Sequence, residues 1–142
     1  MEVNVNWLAV LLATASTMVV GSVWYARPVF GNAWIKLAKL DIKKMEKEGA
    51  AKAILVTLVV SFLSAFVLAH VSFLAHDYFK NSFLQDVLST AFWTWLGFTA
   101  ARFVTHDAFE GRPAALTLMN VAHEFVTFMV MALVIGLLPP AL

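Results

Sequence analysis

The sequence predicts an all-α integral membrane protein: a four-helix bundle with both termini outside and a short amphipathic interfacial helix in its first cytoplasmic loop. Three observations predict it. The 142-residue chain is 61% hydrophobic and only 13% charged, whereas about a quarter of an average soluble domain is charged. Its mean hydropathy of +0.81 reflects more apolar surface than a domain this small hides in one water-exposed core. Finally, its apolar stretches and its basic residues alternate in an ordered way along the chain. Intrinsic disorder is excluded, and a net charge of +1 gives no electrostatic case for nucleic acid. The chain has no cysteine, which removes disulfides, thiolate metal sites and cysteine nucleophiles together.

Four stretches, 7–25, 53–75, 87–104 and 114–138, each approach the roughly 20 residues needed to cross hydrocarbon. All belong to one transmembrane domain, 1–142. The first differs from a signal peptide because its leading residues, Met1-Glu2-Val3-Asn4, carry no Lys or Arg and its apolar run is longer than an h-region. The third is the weakest, short and interrupted by Thr90, Thr94, Thr99 and Arg102. Nine of the ten Lys and Arg residues fall in the 26–52 loop or around the turn joining spans three and four, with Lys80 alone on the other side. By the positive-inside rule the basic side is cytoplasmic, in a multi-pass protein of the cell (inner or plasma) membrane. Aromatic residues agree, with Trp7, Tyr78 and Phe79 at the outer boundary and Trp24, Tyr25 and Trp34 at the inner one.

Within the 26–52 loop, Lys36, Lys39, Lys43 and Lys47 recur at helical intervals, with Trp34, Ala38, Ile42 and Met45 opposite. This suits a helix lying in the headgroup plane with lysines toward anionic lipid, or a solvated basic loop that enforces topology. Asp41 is placed to cap a second turn and Gly49 to end it. Hydroxylated and small residues form stripes on span one (Thr14, Thr17, Gly21), span two (Thr57, Ser61, Ser64, Ser72) and span three (Thr90, Thr94, Gly97, Ala101). These read as close helix packing rather than as a substrate path.

Span four carries Thr117, Asn120, Glu124 and Thr127 on one helical face, with His123 bordering it. Glu124 falls near the bilayer midplane, where a charged acid costs on the order of 3 kcal/mol. Two readings stand. Glu124 is either a proton or cation site in contact with water, or one half of an interhelical hydrogen bond.

Enzyme motifs fail on inspection. His123-Glu124-Phe125-Val126-Thr127 begins like a zinc-protease motif but has Thr127 where the second ligand belongs. His76-Asp77 and His106-Asp107 lie at opposite boundaries and cannot share one metal. No Gly-rich phosphate loop or nucleophile elbow is present. No enzyme, metal or cofactor is expected.

Gly21-Ser22-Val23-Trp24-Tyr25, Pro28-Val29-Phe30-Gly31 and Trp34, followed by Trp95-Leu96-Gly97-Phe98, Phe109-Glu110-Gly111-Arg112-Pro113 and Asn120, resemble the prokaryotic membrane proteins grouped as domain of unknown function 1761. The resemblance covers nearly the whole chain and implies a small four-helix membrane protein with no assigned activity. His123-Glu124 departs from the aromatic-then-polar pair usual there. Physically, Phe109 to Pro113 reads as an interfacial turn in which Glu110 and Arg112 either pair or accept a partner's charge, with Pro113 at the start of span four.

The functional expectation is an oligomeric transport or permeation protein, most simply a homodimer, using Asn120, His123, Glu124 and Thr127. The solute or ion is not specified by the sequence. The alternative is a structural or accessory protein whose polar stripe only fastens helices and subunits. The expected partners are the lipid bilayer and a second copy of the chain, with no nucleic acid.

Overall fold

The computed structural model describes residues 3–141, without the side chains of Met45, Glu46 and Glu48. The readings of Met1-Glu2 and of the Met45 side chain therefore lie outside the described residues. Every regular element described is helical: α1 (Trp7–Trp24), α2 (Asn32–Leu37), α3 (Ile42–Glu48), α4 (Ala51–Phe79), α5 (Phe83–Thr94), α6 (Ala101–Phe109) and α7 (Ala114–Leu137). Three of them, α1, α4 and α7, are long and apolar enough to cross a membrane. The stretch expected as span three is instead built from α5 and α6, joined without a break by a π-helical turn at Trp95–Ala100.

Each boundary has a local cause. Asn6 caps α1, its side-chain oxygen accepting from the amides of Leu8 at 3.1 Å and Ala9 at 3.2 Å. After Tyr25 the chain turns extended at Ala26, and Pro28 opens a π-helical turn, Arg27–Gly31, that leads into α2. Gly31 is buried there, and only glycine fits, because a Cβ would run into the carbonyl oxygen of Tyr25 and into Ala26. Asp41 accepts from the Lys44 amide at 3.2 Å and starts α3, while Gly49, at φ +71°, follows its end. Ser82 caps α5 through the Gln85 amide, and Pro113 immediately precedes α7.

The basic loop corrects one expectation. Its lysines do not share one continuous helix, because the chain breaks between α2 and α3. Lys39 adopts φ +51°, the Leu40 amide donates to the Ile35 carbonyl and the Lys39 amide to the Lys36 carbonyl. That pair of bonds is a Schellman cap. Lys36 and Lys39 therefore belong to one short unit and Lys43 and Lys47 to another.

α1 packs against α4 and α7, and α5 packs against the same two helices. The chain ends meet: Asn4 donates to the Ala141 carbonyl at 2.8 Å and Asn6 to that of Leu138 at 3.2 Å. We call this the terminal end, and the opposite one, carrying the 26–52 loop and the 110–113 turn, the basic end. The core lies toward the terminal end, where Val10, Ala13, Leu68, Val87, Met131, Ala132 and Ile135 are essentially inaccessible. Small residues permit that approach: a Cβ on Gly136 would sit 3.0 Å from the Leu84 Cα. The hydroxyl stripes also contribute here, Thr17 donating to Ser61 at 3.0 Å between α1 and α4. Large apolar side chains such as Val19, Leu55, Val59, Leu63 and Val67 point outward, as a lipid-facing surface requires.

Candidate binding cavity at the basic end

Away from the core, the helices part around a cavity of about 620 Å³, within the range of small-molecule sites. α7 supplies one wall with Leu116, Asn120 and Glu124, spaced by four and hence aligned along one face. Tyr25 enters from the end of α1, Trp34 from α2 and Phe103 from α6. The rim is formed by two turns of the same design. One is the Lys39 cap. In the other, Gly111 adopts φ +65°, the Arg112 amide donates to the Asp107 carbonyl and the Gly111 amide to that of Ala108. Both turns line the cavity, so helix-capping geometry shapes its mouth.

The wall is held by polar and aromatic contacts. The Tyr25 hydroxyl donates to Asn120 Oδ1 at 3.4 Å, linking the end of α1 to α7. The Tyr25 ring lies 4.9 Å from those of Trp34 and His123, and Trp24 meets His123 edge-on at 5.9 Å. His123 is thus packed behind the wall, its Nδ1 3.3 Å from Glu124 Oε1. Its Nε2 and the Trp24 indole nitrogen are buried without a hydrogen-bond partner among the described residues. Across α7, Trp95 donates its indole N–H to the Val121 carbonyl at 3.2 Å and packs on Phe125. This anchors the π-helical turn, a feature frequent near functional sites.

Charge at the mouth is largely paired. Arg112 Nε lies 2.6 Å from Glu110 and 3.7 Å from Asp107, and Asp107 accepts from the Thr117 hydroxyl at 2.7 Å. Glu124 differs. Its side chain keeps 30% exposure, and among the described residues no lysine or arginine pairs with it.

Three groups singled out in the sequence therefore converge on one space: Asn120 and Glu124 from the polar stripe, Glu110, Gly111, Arg112 and Pro113 from the turn, and Lys39 from the basic loop. His123 stands behind the wall. Thr127 is turned away, its hydroxyl donating to the His123 carbonyl of its own helix, and Phe109 is 92% exposed. Lys36, Lys43 and Lys47 do not line the cavity. Sequence reasoning assigned Tyr25 and Trp34 to the membrane boundary and missed them, with Phe103, as walls. Their signal was present in the shared aromatic motifs, but only α2 folding back onto α7 gives it meaning. Among the described residues, no group of three His, Asp or Glu side chains is placed to hold a metal ion.

Residues 8–136 match a family described as protein of unknown function DUF1761. None of the curated proteins and none of the solved structures matches the chain.

Proposed function

The chain belongs to the DUF1761 family of proteins of unknown function, and from that premise we propose a multi-pass transport protein of the cell membrane that loads a proton or small cation from its basic, cytoplasmic side. The continuous run of α5, π-helical turn and α6 is the fourth crossing, which puts both termini outside. One observation carries the reading: the Glu124 carboxylate stands on the wall of a cavity at the basic end, partly exposed, with His123 of its own helix as neighbour and, among the described residues, no lysine or arginine paired with it. The competing role, a helix fastener, is filled by other groups. Tyr25–Asn120 and Thr17–Ser61 join helices, whereas the hydrogen-bond partner of Glu124 is His123 on its own helix. The core fills the terminal half of the bundle, so on this reading passage requires rearrangement, or a second copy completing a path along the exposed faces of α4 as a homodimer.

Proteoliposomes enclosing a pH-sensitive dye test the proposal. Under an imposed membrane potential the wild type should conduct protons, and Glu124→Gln, which keeps shape but not titration, should abolish the flux while the protein inserts normally. Undiminished flux in Glu124→Gln would remove Glu124 from the mechanism.

A further inference from the structure

Resting on the reading of the cavity as a loading site, we infer that the small cation it loads, in competition with the proton at Glu124, is an organic ammonium ion, held by Glu124 as counter-ion and by the faces of Tyr25 and Trp34. A bare metal cation needs oxygen ligands and little space. This cavity of about 620 Å³ is instead lined by three aromatic side chains, Tyr25, Trp34 and Phe103, together with the Glu124 carboxylate. Tyr25 and Trp34 meet at 55° with centroids 4.9 Å apart, forming two adjoining walls rather than a flat stack. Aromatic faces attract cations through their quadrupole, most strongly for a weakly hydrated ammonium in a partly desolvated site. A strongly hydrated inorganic ion gains little there, since the rings do not replace its water.

The charge arrangement adds a direction. Arg112 is already engaged by Glu110 and Asp107, which leaves Glu124 as the lining acid that, among the described residues, no lysine or arginine engages, with Lys39 on the rim. Glu124 lies eight positions along α7 from Leu116, about 12 Å farther from the rim turns. An ammonium is therefore drawn inward, past a lysine that repels it at the mouth unless the molecule also carries a trailing anionic group. The same chemistry occurs in free amines and zwitterions and in the headgroups of phosphatidylcholine and phosphatidylethanolamine.

The chain contains no cysteine, so Ala38→Cys on the cavity wall gives a single reporter that leaves Glu124, Tyr25 and Trp34 in place. Its labelling by N-ethylmaleimide is followed in phosphatidylglycerol vesicles, with tetraethylammonium or sodium chloride at equal ionic strength. Tetraethylammonium should slow labelling and sodium should not. The concentration giving half-protection should rise about tenfold in Trp34→Ala and in Glu124→Gln, and return toward that of the parent in Trp34→Phe. Slower labelling in phosphatidylcholine vesicles without added salt would identify the lipid headgroup as the source of the ammonium; protection by tetraethylammonium alone would identify a free solute. Labelling unaffected by tetraethylammonium, or slowed equally by sodium, overturns the ammonium inference while leaving a water-accessible cavity. Absence of labelling overturns both the inference and the loading site on which it rests.

Discussion

Asp86 and Glu124 are both acids held among apolar helices, Asp86 at the start of α5 and Glu124 midway along α7, and their surroundings give them opposite characters. Asp86 is 3% exposed and fully engaged: one carboxylate oxygen lies 2.9 Å from His76 Nδ1, and the other accepts from Asn81 at 2.9 Å. His76 is fixed in turn edge-on against Phe83. The cluster bridges the end of α4, the loop and the start of α5, and it lines a smaller cavity of about 220 Å³. Glu124 has one neighbour on its own helix and open space in front. A buried acid with all its partners supplied is a lock, because nothing remains for a ligand to satisfy. An acid engaged only from its own helix, on the wall of the larger cavity, has capacity left for solvent or cargo, and under the proposed function that contrast separates the loading site from the lock.

Mutations can break the comparison. The largest effect is expected for Asp86→Ala, which strands His76 and Asn81. Removing one member of a buried pair costs about 3–5 kcal/mol, and the melting temperature in detergent should fall by about 10 °C or more. A change of only a degree or two would show that the cluster is not a lock. Next comes Gly136→Ala, whose methyl group meets Leu84 at the α5–α7 crossing. Overpacking there should cost about 1–3 kcal/mol in the same melt, and Leu84→Ala in the same chain should restore part of the loss. The smallest effect is expected for Glu124→Gln, within about 0.5 kcal/mol of the parent, since no contact between helices depends on its charge. Destabilisation as large as that of Asp86→Ala would make both acids locks and erase the distinction.

Sequence alone determined what depends on neighbours in the chain. Hydropathy located α1, α4 and α7, because apolar runs of that length have few other homes. Local chemistry located their punctuation: Asp41 before α3, Gly49 after it, Pro113 before α7 and the Glu110–Arg112 pair in the turn all follow from residues within four positions of one another. The alternation of charge assembled the basic loop and turn at one end. The continuous lysine-bearing helix failed for a reason invisible to periodicity, the left-handed turn at Lys39, where the intervals continue across a broken backbone. Tertiary structure alone decided which polar groups meet. His76 and His106 each precede an aspartate in sequence, yet His76 reaches across the loop to Asp86 while Asp107 binds Thr117 on α7. Likewise, the face of α7 was legible but its use was not: Asn120 and Glu124 turn to a cavity, and Thr127, three residues farther, turns to its own backbone. Periodicity assigns a residue to a side of a helix. Only the approach and separation of helices decide whether that side meets another helix, lipid or open space, and here the core closes at one end while the capped turns hold the other apart.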